Sequence, residues 1–300
     1  MRAVQYSSYG GPEVLGLVEL PEPQAGPGQV RIRVQAAGVN PYDVKLRSGG
    51  FAGGRPLARP VVPGLEAAGI VDQLGAGVTG TAPGDAVFGF TIGGACADYA
   101  LLQAWAPQPG GDFSPAMAAG LPVVAETATR VVDLLGVAGT DRVLVHGAAG
   151  GVGQGIVQLA VLRGAQVVGT ASPANHELLA SLGALATGYG PGMVERVGRL
   201  LPDGPTLVAD AAGSQLDDLL ALAPSPQAIV TIANFSAAQR GVRVTSERGD
   251  AAAALALVGG LAAAGRFRVH VSHTFDLAEA AAAHRLSESR GAGGKIVLLA

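Results

Sequence analysis

Cysteine is almost missing from this chain of 300 residues, where Cys96 stands alone. That excludes an intramolecular disulfide and any metal centre built from several thiolates. Lysine is nearly as scarce: Lys45 and Lys295 are the only two, and the other cations are arginines, which reads as a coding bias and not as chemistry. Charged residues make up 14%, the formal net charge is −3, and Lys and Arg form no block. The chain therefore carries no electrostatic footprint for nucleic acid. No apolar run reaches the roughly 20 residues of a membrane-spanning helix. The most apolar stretch, Ala251 to Gly265, reads instead as a buried, alanine-rich helix. The opening MRAVQYSSYGG has no apolar core of a secretory signal, so a cytoplasmic location is the default expectation, with no membrane partner.

What is abundant is small and aliphatic. Hydrophobic residues make up 49% and aromatics only 4%, with 46 glycines and 19 prolines. That balance suits a large aliphatic core cut by many turns and excludes wholesale disorder. The length allows one large or two ordinary domains.

The first ~110 residues read as β-rich. Val30 to Gly38 alternates apolar and polar side chains, Glu66 to Gly75 and Ala86 to Phe90 are further strands, and turns such as Pro83-Gly84-Asp85 separate them. Asn40 caps a short helix with Pro41 at its first position, running to Gly49-Gly50. From Ser114 the pattern changes. Helices open at Ser114-Pro115 and Pro122. Strands at Arg142 to His146, Gln166 to Ala171, Thr206 to Asp210 and Ala228 to Ala233 then alternate with helices ending near Gly164, spanning Ala174 to Leu182 and starting at Ser214. That alternation predicts a doubly wound parallel sheet. After Arg266 the reading is a strand (Phe267 to Phe275), a helix (Asp276 to Leu286) and a last strand, GKIVLLA.

The most informative segment is DRVLVHGAAGGVGQGIVQLA, Asp141 to Ala160. A lone G-x-G-x-x-G is a weak signal, but here it lies between an apolar strand and a helix. Ala148 takes the first glycine position, Gly150 the second and Gly153 the third. Gly150 lets the backbone approach a pyrophosphate, Gly153 lets the helix pack on the strand, and the helix N-terminus faces the diphosphate. A dinucleotide coenzyme follows. About 20 residues on, an NAD site usually carries an acid for the ribose 2′-hydroxyl. This chain has Thr170-Ala171-Ser172, so NADP (as NADPH) is favoured, with Ser172, Asn175 and His176 as candidate donors to a 2′-phosphate.

These residues resemble the zinc-free quinone oxidoreductase, zeta-crystallin-like branch of the medium-chain dehydrogenase/reductase superfamily. The resemblance runs through GVNPYDVKLRSG, PGLEAAGIV, LVHGAAGGVG, GTAS and GKIVL and covers essentially the whole chain. It implies an α/β architecture: a GroES-like β-rich catalytic domain (1–113 with 267–300), a Rossmann domain (114–266), an active site in the cleft between them, and a homodimer with Rossmann sheets paired edge to edge. It also implies Asn40 and Asp43 beside the nicotinamide, Thr127 near its ribose, and Ala149, Gly150, Gly151 and Val152 at the pyrophosphate. Ser172 falls by the adenosine ribose phosphate, and Phe235 and Lys295 at the nicotinamide side. Relatives often carry a lysine shortly after the GTAS serine, where this chain has Ala174. They usually have an uncharged residue where this chain has Glu126, which is either a partner of Arg130 or a substrate-specific group.

Zinc members of the superfamily hold their metal with Cys and His. Asn40 stands at the cysteine position and Leu65 at the histidine position, so no metal is expected and alcohol oxidation is disfavoured. A quinone or an α,β-unsaturated carbonyl needs less help, because hydride addition gives a delocalised anion that donors can stabilise. Tyr42 is the candidate proton donor or polarising hydroxyl, with aromatic packing as the equal alternative. The expected activity is thus an NADPH-dependent, zinc-independent quinone or enone reductase. A reductase of one biosynthetic intermediate and a non-catalytic dinucleotide-binding protein stand as alternatives.

Overall fold

Strands form where the sequence alternates, or runs apolar, between turn residues. The computed structural model describes residues 1–289 and 291–300 and divides into two units, Met1–Val123 with Ala251–Ala300, and Val124–Asp250. The first unit opens with β1 (Arg2–Gln5), β2 (Gly16–Glu19) and β3 (Val30–Val39). It continues with α1 (Pro41–Arg47), β4 (Glu66–Leu74), β5 (Ala86–Ile92), β6 (Tyr99–Pro107), α2 (Pro115–Ala119) and the start of α3 (Leu121–Leu135). The second unit holds β7 (Arg142–His146), α4 (Gly151–Leu162), β8 (Gln166–Thr170), α5 (His176–Ser181), β9 (Leu185–Thr187) and α6 (Met193–Leu200). It ends with β10 (Leu207–Asp210), α7 (Leu216–Leu222), β11 (Ile229–Thr231) and β12 (Arg243–Val244). The chain then returns to the first unit with α8 (Ala251–Ala263), β13 (Val271–Asp276), α9 (Ala280–Ser289) and β14 (Lys295–Leu299).

In the first unit a six-stranded sheet runs β13-β14-β3-β4-β5-β6, and β3 also pairs with β6, which curls it towards a barrel. Val30, Ile32 and Val34 of β3 point into a core with Val71, Val87, Leu102 and Ile296, as period-2 alternation requires. In the second unit six strands run parallel in the order β12-β11-β10-β7-β8-β9. The chain winds outward from β7 on one side and returns to β10 on the other, so the switch point lies between β7 and β10, where open α/β sheets take their ligands. Leu144, Val168, Val208 and Ile229 form its core with Met193, Val197 and Leu219.

Several expectations need correction. α8 is buried on one face only. Ala254, Leu255, Val258 and Gly259 point inward, and a Cβ on Gly259 would lie 3.3 Å from the Phe88 ring, while Ala252, Ala253 and Leu257 stay at the surface. The strand expected from Phe267 starts only at Val271, because its partner β14 starts at Lys295 and offers no ladder before that. The helix expected from Ala174 starts at His176, after a 3-10 turn at Pro173–Asn175, and the one expected at Ser214 starts at Leu216. β9, α6 and β12 carried no visible signal. α2 packs on β3 and β4, and α8 packs on β6, so both lie in the β-rich unit.

Candidate active site

In the β-rich unit the chemistry gathers where β3 ends and α1 begins. Asn40 leaves β3 in extended conformation and opens α1, with Pro41 in the first turn. Asn40 Nδ2 donates to Glu66 Oε1 at 2.8 Å, and Lys295 Nζ donates to Asn40 Oδ1 at 2.7 Å and to Glu66 Oε1 at 2.5 Å. The amide of Val123 donates to the other Glu66 oxygen at 2.7 Å. Lys295 is 4% exposed and Glu66 0%, so the pair is a buried ion pair with its polar atoms satisfied. A Cβ on Gly38 would lie 2.2 Å from Glu66 Oε1, so that position requires glycine for the carboxylate to cross β3. In the sequence Glu66 stands only as the first residue of an expected strand, with no sign of its link to Lys295, which lies 229 positions away.

Asp43 is 3% exposed and accepts the Asn40 amide at 2.9 Å. Burial holds its carboxyl up at about 7, against the amides of Asn40 and Gly64, which favour the ionised form. It is enclosed at the helix start and does not present a free carboxylate. Tyr42, next to it in the chain, points outward at 45% exposure with its ring 5.3 Å from that of Phe51. Asn40, Asp43, Tyr42 and Lys295 thus share one end of one unit, with the first three at the start of α1.

In the Rossmann unit the turn after β7 is built for a ligand. The left-handed residue is Gly147, at φ 79°, and not Ala148, which the motif alignment put first. Ala148 is buried, and a Cβ on Gly169 would lie 2.7 Å from the methyl of Ala148. A Cβ on Gly153 would lie 2.2 Å from the Gly147 carbonyl oxygen, so this glycine permits the close helix–strand contact. A Cβ on Gly150 would meet only that oxygen, at 3.5 Å. Gly150 is the N-cap of α4 and has no side chain to offer its amides. The Gly150 amide donates to the Gly147 carbonyl at 3.2 Å, and the next amides, of Gly151, Val152 and Gly153, open a 12-residue helix with no capping side chain, beside Ala149. This arrangement fits a dinucleotide pyrophosphate.

A buried polar row backs the turn at the C-terminal ends of the strands. His146 lies between Thr170 Oγ1 (2.8 Å from Nδ1) and Ser214 Oγ (3.1 Å from Nε2), and burial keeps its pKa below the usual value. The Gly147 amide donates to Thr170 Oγ1 at 3.2 Å. Asp210 accepts from the amides of Ala212 and Gly213 and from Thr231 Oγ1. The loops after β7, β10 and β11 are thus fixed without a mobile charge.

The remaining candidates are placed as follows. Thr127 Oγ1 donates to Glu126 Oε2 at 3.3 Å. Glu126 is buried and pairs with Arg130 at 2.7 Å, and it accepts the Gly249 amide at 2.7 Å, which makes it the structural partner. Asn175 Nδ2 donates to Ser172 Oγ at 2.9 Å, and His176 Nε2 lies 3.3 Å from the Ala171 carbonyl oxygen. Phe235 opens a 3-10 helix after β11 and is 39% exposed.

Residues 26–111 match the alcohol dehydrogenase GroES-like domain and residues 122–298 the zinc-binding dehydrogenase domain. The chain belongs to the zinc-binding dehydrogenase family. This dehydrogenase-family chain is 41% identical to the quinone oxidoreductase of Rattus norvegicus over 178 residues, 57% of this chain and 53% of that protein. It is 37% identical to the chloroplastic NADPH-dependent alkenal/one oxidoreductase of Arabidopsis thaliana over 231 residues, 71% of this chain and 58% of that protein. The aligned stretch spans about half the length of these curated relatives. Their names are those of the quinone- and enone-reducing branch that the motifs resemble. Among solved structures, an NAD-dependent alcohol dehydrogenase superposes with a TM-score of 0.88 at 31% identity, covering 100% of both chains.

The family's name implies zinc, and the residues present do not fit one. Structural and catalytic zinc sites take three or four Cys, His or carboxylate ligands. Here the oxygens of Asn40 and Glu66 both accept from the Lys295 ammonium, which a cation would have to expel. Among the described residues no group of three or more His, Cys, Asp and Glu could hold a metal. No described helix is long and apolar enough to cross a membrane.

Proposed function

We propose that this protein is a zinc-independent, NADPH-dependent oxidoreductase that reduces a quinone or an α,β-unsaturated carbonyl. The observation that carries the reading is the β7–Gly147–α4 turn, with its uncapped helix N-terminus at the switch point of a parallel sheet. NADPH, when bound, supplies the hydride. Gly151, Val152 and Gly153 hold its pyrophosphate by backbone amides, with Gly150 giving the backbone room to approach it, and Thr127 lies by its nicotinamide ribose.

The acceptor decides what else is needed. Hydride addition to a conjugated carbonyl moves an electron pair onto the oxygen, which needs a hydrogen-bond donor and then a proton. Lys295 offers the third N–H of its ammonium in the β-rich unit, the other two being held by Asn40 and by Glu66, which also balances its charge. Tyr42 is positioned at the surface to donate the proton, with water as the other source. An alcohol would need its hydroxyl acidified, and the Asn40–Glu66–Lys295 knot offers no Lewis acid for that. The names of the relatives, one a quinone reductase and one an alkenal/one reductase, support this substrate class. A homodimer completes the reading. The two-residue strand β12 is an edge of the Rossmann sheet, and pairing two such edges across a dyad covers them.

The test is NADPH oxidation with a panel of small quinones and enones after exhaustive chelation. Turnover that survives chelation supports the proposal. Activity that disappears with the chelator and returns with zinc, or no turnover across the panel, refutes it.

A further inference from the structure

The coenzyme's 2′-phosphate would meet the end of β8, and the residues there neither repel nor recruit it. β8 and β9 lie side by side, with Thr170 opposite Thr187 and the Ala171 amide bonded to the Thr187 carbonyl at 2.9 Å. The lip is therefore made by residues 171–176 and by the segment from Gly188 to Gly192.

No carboxylate stands at this lip after β8, where Ala171, Ser172, Pro173 and Ala174 follow one another. A 2′-phosphate meets no like charge there. Among the described residues no lysine stands there either. The Rossmann unit contains no lysine, since Lys45 and Lys295 both belong to the β-rich unit. Arg196 reaches the second segment of the lip, but its guanidinium donates to the carbonyls of Gly188 (3.1 Å), Tyr189 (3.1 Å), Gly190 (3.3 Å) and Pro191 (2.8 Å). It shapes the loop instead of facing a ligand.

His176 Nε2 faces the Ala171 carbonyl and donates to it, which leaves Nδ1 as the ring atom away from that bond. The other side-chain donors at the lip are the Ser172 hydroxyl, one N–H of Asn175, whose amide is already bonded to Ser172 Oγ, and the hydroxyl of the exposed Tyr189, all of them uncharged. Ser172 and Asn175 are half-exposed and Ala174 is exposed. A dianion at such a rim keeps most of its water, and exchanging water for neutral donors gains little.

We infer that this chain does not select its coenzyme by the 2′-phosphate, so that NADH serves nearly as well as NADPH. The inference rests on the dinucleotide reading above and replaces its preference for NADPH with acceptance of either nicotinamide coenzyme.

Calorimetric titration of the full chain with NADPH, NADH, 2′,5′-ADP and 5′-AMP reads this directly, without turnover. The expected result is that each phosphorylated ligand binds within about tenfold of its unphosphorylated partner, a difference of about 1.4 kcal/mol or less. Ala174→Lys places an ammonium on the exposed lip beside Ser172 and should tighten NADPH by about tenfold or more while leaving NADH within about twofold. A wild-type preference of about a hundredfold for either coenzyme overturns the inference, as does an Ala174→Lys variant with unchanged NADPH affinity. Failure of all four ligands to bind overturns the dinucleotide reading itself, and that outcome is distinct from binding with strong selectivity.

Discussion

Lys295→Met tests the buried knot of the β-rich unit most directly. The side chains of Lys295 and Glu66 are 5% and 0% exposed, and removing one partner of a buried pair typically costs about 3–5 kcal/mol. Glu66 keeps two donors in the variant, Asn40 Nδ2 and the Val123 amide, so the low end, about 3 kcal/mol, is expected. Trp105 is the only tryptophan. It lies on β6 in the same unit, with its Nε1 bonded to Thr81 Oγ1 at 3.0 Å, so its fluorescence reports unfolding of that unit alone. With a urea slope of about 3 kcal/mol/M, the midpoint should fall by about 1 M. Glu66→Gln in the Lys295→Met background removes the stranded charge and should recover part of the loss, with a coupling of about 1–3 kcal/mol. A midpoint shift below about 0.3 M, or strict additivity of the two substitutions, would refute the claim that the two groups stabilise each other as a buried pair.

Two further outcomes follow from the same geometry. The Asp43 carboxyl is raised to about 7 by burial, whereas an unfolded aspartate titrates near about 3.9. The folded state therefore holds more protons in that interval, and stability should fall as pH rises from about 4 to about 7. Asp43→Asn should flatten this slope in thermal melts, and an unchanged slope would contradict the assignment. The two motif glycines should separate structure from binding. Gly153→Ala puts a methyl 2.2 Å from the Gly147 oxygen and should lower stability by about 1–3 kcal/mol. Gly150→Ala, with its nearest atom at 3.5 Å, should melt like the wild type but bind NADPH at least about tenfold more weakly. Equal melting of both variants, or unchanged coenzyme affinity of the second, would show that the roles are misassigned.

Much of the fold was legible because its signals are local. Val30 to Gly38 alternates, Arg142 to His146 runs apolar, Asn40-Pro41 starts a helix, and the glycine spacing after His146 needs only its flanking strand and helix to be read. The errors arose where the signal depends on a partner. β9 and β12 have three and two residues, too short for a period, and exist because β8 and β11 offer them a ladder. Phe267 to His270 looks like strand, but the β14 ladder that would extend it begins only at Lys295. The turn residue of the coenzyme motif proved to be Gly147, since only the packed backbone shows which residue takes positive φ.

By itself, then, the sequence determined the order of elements, the phosphate-facing turn and the exclusion of a thiolate metal centre, because each of these is written in neighbouring residues. Only tertiary structure decided that Lys295 is held by Asn40 and Glu66, that Asp43 is sealed at the start of its helix, and that Arg196 is occupied by its own loop. Each of those depends on what burial brings together from distant parts of the chain. The free energy of a buried charge is set by its surroundings, and a sequence does not display them.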